Sequence, residues 1–153
     1  MTATTVQKSL VGRRLGLSRL GNLVSNGIAI SRPCVDASIT VSAEAATVAN
    51  QRDIVVQLKD ANGNDIDYVE TFEIIMYSSA AMTAFTTTGG STGLAIGTDG
   101  ALLPVVAKKY FLATSEADGD WDGIYTDTGT DVVFMGIRLP NGRLITPVEL
   151  TNA

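Results

Sequence analysis

Between residues 37 and 150, apolar side chains recur at every second position, in short runs broken by Gly, Asn, Asp and Pro. A period of two sends alternate side chains to opposite faces of an extended chain, so each run predicts a strand with one buried face. The clearest run is 131–139, where Val133, Met135, Ile137 and Leu139 share a face. Pro140-Asn141-Gly142-Arg143 follows it, and Asn-Gly accepts the positive φ angles of a tight hairpin turn. In 52–60 the shared face is Ile54, Val56 and Leu58, and Ala61-Asn62-Gly63-Asn64 supplies the turn. In 69–78 it is Phe72, Ile74 and Met76. Further strands are predicted at 37–41, 94–96, 102–106, 110–114, 123–126 and 144–150, and Pro147 marks the last as an edge strand or a bulged one. Residues 79–91, rich in Ala, Thr and Gly, read as a loop. No long amphipathic helix separates the strands, which excludes a βαβ order. About eight short strands at this spacing predict an all-β fold, an Ig-like or jelly-roll β-sandwich.

The chemistry available to such a fold is narrow. The chain of 153 residues contains no histidine and one cysteine, Cys34. That removes the usual general base, every Ser-His or Cys-His pair, an intrachain disulfide and a multi-cysteine zinc site. Cys34 is expected to be a buried thiol. Hydrophobic residues make up 45% and charged residues 18%, too apolar a balance for a disordered chain.

Three motifs carry some chemistry of their own. Asp118-Gly119-Asp120-Trp121-Asp122-Gly123 resembles the start of a calcium loop, but its twelfth position is Gly129 where a bidentate Glu is required. A solvated turn is expected there. Asp60-Ala61-Asn62-Gly63-Asn64-Asp65 also alternates oxygen ligands, and turn chemistry between two strands accounts for it. Gly89-Gly90-Ser91-Thr92-Gly93 lacks the Lys-Ser or Lys-Thr ending of a phosphate loop. Asp127 and Asp131 are a possible carboxylate pair, but without a cleft or a histidine they carry little weight. Trp121 is expected to cap an end of the sandwich rather than to serve as a binding ring. No catalytic residue, cofactor or metal is expected, and the chain is not read as an enzyme.

Charge divides the sequence in two. No acidic residue precedes Asp36, while Lys8, Arg13, Arg14, Arg19 and Arg32 give that stretch +5. The rest holds six basic residues against all 16 acidic ones, a net charge of −10. A basic N-terminal arm, 1–35, is therefore expected before a sandwich domain, 36–153. Seven large aliphatic residues lie between Leu10 and Val24, interleaved with the arginines and with no aromatic ring among them. That pattern favours a protein surface over nucleic acid as the arm's partner. Gly12, Gly16, Gly21 and Gly27 weaken a helix, so an extended arm is favoured over a short amphipathic helix at 6–15. Leu10, Arg13, Arg14, Leu15, Leu17, Arg19, Leu20 and Leu23 are the candidate partner-binding residues. The segment 15–30 is too polar to span a membrane, and no secretory signal is convincing, so synthesis in a cytoplasm is expected.

The turns carry a resemblance. The strand and turn at 54–64 look like the opening of bacterial and phage Ig-like modules. Ala95-Ile96-Gly97-Thr98-Asp99-Gly100, then Ser115-Glu116-Ala117-Asp118-Gly119-Asp120, then Leu139-Pro140-Asn141-Gly142-Arg143 occur in the order that resembles small virion proteins of tailed bacteriophages. The resemblance covers about residues 50–150 and implies a non-enzymatic virion component of the head decoration or cement type. It implies the major capsid protein and further copies of the chain as partners, and the capsid surface as its place. Tail or neck structural proteins are the near alternative. A fibre-type receptor- or carbohydrate-binding module is the second, and it needs aromatic residues at loop tips, for which only Trp121 and Tyr125 qualify.

Overall fold

The computed structural model describes residues 33–46 and 48–152, together with the backbone of three short strands earlier in the chain. The chain divides after Pro33 into two units. In the first, β1 (Leu15–Leu17), β2 (Leu23–Ser25) and β3 (Ile28–Ala29) form an antiparallel sheet in that order. Leu15 stands opposite Ser25, and Val24 opposite Ala29. The stretch expected to be an extended arm thus holds strands that turn back on one another. Most of the helix considered at 6–15 lies outside the described residues.

The second unit, Cys34–Ala153, is all-β. Its strands are β4 (Asp36–Val41), β5 (Gln51–Lys59), β6 (Thr71–Tyr77), β7 (Gly93–Ile96), β8 (Ala101–Val106), β9 (Tyr110–Thr114), β10 (Asp120–Thr126), β11 (Phe134–Arg138) and β12 (Leu144–Glu149). They form two antiparallel sheets, ordered β4-β5-β10-β7 and β12-β11-β6-β9-β8. Among the described residues there is no helix. The alternation explains the layering. Ile54, Val56 and Leu58 of β5 and Trp121 and Tyr125 of β10 face inward from one sheet; Phe72, Ile74 and Met76 of β6 and Met135 and Ile137 of β11 face them from the other. All are nearly or fully buried in one common core, the arrangement of a sandwich. Burying side chains of this size is worth about 1.5–3 kcal/mol each.

Two expectations change here. Trp121 does not cap an end: it is 0% exposed, meets Phe72 edge to face at 6.1 Å, and its indole N–H donates to the Ala101 carbonyl at 3.1 Å. The strand expected at 123–126 begins three residues earlier, because Asp120 and Asp122 alternate with Trp121 and point outward while the ring points in.

Turns close as their residues dictate. At Pro140–Arg143 the Leu139 N–H donates to the Arg143 carbonyl at 2.9 Å, and Gly142 takes φ +84°. The Asp60 carboxylate, 1% exposed, accepts the Asn62 and Asn64 N–H groups at 2.8 and 3.0 Å, an Asx turn around Gly63 at φ +81°. Pro147 sits on β12, an edge strand with a register shift against β11.

Candidate protein-protein interface

The outer face of the five-stranded sheet is mixed, with Thr71, Thr114, Glu73 and Arg138 on it and its exposed apolar residues gathered mainly along β8. Strand pairing sets Leu103, Leu112, Glu73, Arg138 and Leu144 side by side in one row across all five strands. Within that row Arg138 bridges Glu73 at 3.3 Å, with leucines to either side. A second row holds Val106, Tyr110, Ile75 and Gly136. Leu103 is 61% exposed, and Val105, Val106 and Leu144 are exposed with it. Beside them Phe85, 54% exposed, pairs with Tyr77 through an isolated bridge and closes a hollow of about 200 Å³ with Ile75, Thr83 and Ala84. Scattered exposed apolar residues are ordinary, whereas neighbouring ones on a sheet face make this surface the candidate contact region.

The outer face of the four-stranded sheet is polar and acidic. Its rows run Ser38-Gln57-Asp120, Thr40-Val55-Asp122 and Asp53-Ile124-Ala95. Asp120 and Asp122 meet Asp99, from the loop between β7 and β8, with carboxylate oxygens within 4.8 Å of one another. The Asp122 Oδ2 accepts the Thr98 hydroxyl at 2.6 Å, while its Oδ1 is buried without a hydrogen-bond donor. Burial, and then the neighbouring charge of Asp122, holds the Asp120 carboxyl above the usual carboxylate range, against the Trp121 N–H that lowers it. The sequence motif nominated Asp118 in this group. The fold exchanges it for Asp99, which is distant in sequence, and leaves Asp118 to accept the Asp120 N–H at 3.3 Å.

The remaining motifs are occupied by structure. Asp127, 1% exposed, accepts the N–H groups of Ser91, Gly129 and Asp131 at 2.8, 3.1 and 3.3 Å, so its carboxylate organises two loops and does not pair with Asp131. The Gly89–Gly93 loop lies over Tyr125, where a Cβ on Gly90 would come within 2.7 Å of the phenol oxygen. Lys108 fastens that loop through the Gly90 and Ser91 carbonyls at 3.2 and 2.6 Å. Cys34 is buried, as expected, and its thiol is pushed up to about 11, first by burial and then by the charge of Glu70.

The sequence-predicted partner residues Leu10, Arg13, Arg14, Arg19 and Leu20 lie outside the described residues. Leu15 and Leu17 fall on β1 and Leu23 on β2, where only the backbone is described. Sequence reasoning missed the exposed apolar cluster; the signal available was the continuous apolar run Leu102-Leu103-Pro104-Val105-Val106, too uniform for a half-buried strand. No protein-family model and no curated protein matches the chain.

Proposed function

We propose that this protein is a non-enzymatic structural component of a tailed-phage virion, a sandwich of Ig-like or jelly-roll type that decorates or cements the capsid by protein-protein contacts. The observation that supports it most is the exposed apolar cluster on the outer side of the five-stranded sheet, with Leu103, Val105 and Val106 along its β8 edge and Phe85 beside Ile75. Such a cluster is stabilised by a partner surface, and the major capsid protein is the partner that the turn resemblance implies. The fibre-type reading is disfavoured, because Trp121 and Tyr125 are both 0% exposed and offer no ring to a sugar.

The test is cosedimentation of the purified chain with virions or emptied heads of the phage that encodes it. Leu103→Lys with Val105→Lys should abolish binding while leaving the circular dichroism spectrum unchanged. Density for the sandwich in a reconstruction of the intact particle should lie on the outer head. Density confined to the neck or tail would move the role to the near alternative, and unchanged binding by the double variant would remove the apolar cluster from it.

A further inference from the structure

The two sheets present four edges; two are closed to strand addition and a third is short. β8 carries Pro104, which has no N–H, and an extra residue at Val105 that shifts its register against β9. β12 carries Pro147 and an extra residue beside it, between Ile145 and Val148. Proline and bulges on edges are devices against edge-to-edge pairing. β7 has only four residues. β4 has six residues, no proline and no bulge, and among the described residues no strand pairs with it on the side away from β5.

The direction of its backbone groups follows from the ladder. Ser42 N–H donates to the Asp53 carbonyl at 2.8 Å, in register with the β4–β5 pairs. Antiparallel pairs alternate, so the N–H and C=O groups of Ser38 and Thr40 turn to β5, and those of Ala37, Ile39 and Val41 turn to the open side. At one end the edge is already blunted: the Asp36 carboxylate takes the Ala37 N–H at 2.9 Å, and Arg143 bridges Asp36 at 3.5 Å. Among the described residues, the Ile39 and Val41 N–H and C=O groups on that side meet no strand.

We propose that two copies of this chain pair antiparallel through β4 about a two-fold axis at Ile39, joining their four-stranded sheets into one continuous sheet. Because the open groups belong to odd-numbered residues in both copies, odd must face odd. Centring on Ile39 then sets Ile39 opposite itself on the buried side, and Ser38 opposite Thr40 and Asp36 opposite Ser42 on the outer side. Hydroxyl pairs across strands are favourable, and no like charges meet. A shift of one step toward the C-terminus would set Asp36 opposite Glu44, a like-charge pair that disfavours it. An isologous contact of this kind closes after two copies. It does not draw on the apolar cluster of the other sheet, so it holds or fails separately from the capsid reading.

The experiment uses the full chain. Ser38→Lys with Thr40→Lys sets lysine against lysine across the axis, and Ser38→Glu with Thr40→Glu sets glutamate against glutamate. Both replaced side chains, Ser38 and Thr40, are exposed. In sedimentation velocity the unaltered chain should associate with rising concentration, and each double variant should associate at least tenfold more weakly. An equimolar mixture of the two variants should recover association, with mixed pairs dominating in native mass spectrometry. Hydrogen exchange on the unaltered chain gives a second reading: the Ile39 and Val41 amides should gain protection as concentration rises. A monomer at every concentration, variants that associate as before, a mixture without preference for mixed pairs, or Ile39 and Val41 amides indifferent to concentration would each overturn the pairing.

Discussion

At the scale of single residues, one buried hydroxyl and one half-buried carboxyl stand against the stability of the fold. The Tyr125 hydroxyl is buried beneath Gly90 with no hydrogen-bond partner. A buried donor left unmade costs about 1–3 kcal/mol, whereas removing it with its shape kept costs little. Tyr125→Phe should therefore equal or exceed the parent chain in stability, by up to about 1 kcal/mol in urea denaturation; a clear loss would mean that the hydroxyl has a role the packing does not reveal. Asp120 is the second case. Its native carboxyl is raised above the ordinary value of 3.8 by burial and by Asp122, so the folded state binds its proton more tightly than the unfolded chain does. That group contributes stability as pH falls from the raised value toward 3.8, and its charge destabilises the fold above that window. Asp120→Asn keeps an oxygen to accept the Trp121 N–H and removes the charge. It should raise the melting temperature at pH 7, and the gain should vanish below about pH 3.5. A gain that persists at pH 3 would assign the effect to something other than ionisation.

At the scale of elements, strands were legible where one face is apolar and the other polar, as in β5, β6 and β11. β10 was read too short because Asp120 and Asp122 resemble a solvated acidic loop; on an outward face they are also what a strand displays. Pairing partners were not legible at all. Period two gives faces but not neighbours, so the row from Leu103 to Leu144, built from five strands, has no signature in the sequence. The same holds for Asp99, which reaches Asp120 and Asp122 only because β7 pairs with β10. Loops show the converse. The Asp127 carboxylate ties the Ser91 N–H to the 127–131 turn, and Asn152 donates to the Asp127 carbonyl at 2.8 Å. Asp127→Ala should release both loops together at a cost of about 1–3 kcal/mol. Hydrogen exchange at Ser91, Gly129 and Asp131 should rise in concert; a rise confined to 129–131 would show that the two loops are not coupled.

At the scale of the whole chain, composition sorts the charges before the fold does. The stretch before Asp36 is basic and aliphatic, and the body is acidic. Deleting residues 2–30 should leave a folded, β-rich sandwich that no longer binds particles. A truncated chain that binds as before would free the arm of any anchoring role, and one that fails to fold would place it within the core. The strand order has a consequence for how the protein is made. β5 lies between β4 and β10, and β6 between β9 and β11, so both central strands wait for partners encoded much later. On the ribosome, the β4–β5 hairpin emerges with Ile54, Val56 and Leu58 uncovered, and Trp121, Met135 and Ile137, which complete the core, follow much later in the chain. Long-range pairing of this kind folds slowly and exposes apolar surface meanwhile. The nascent chain thus shows uncovered apolar surface until β11 is made, and a stop codon placed before β11 should leave an aggregating fragment rather than a smaller domain.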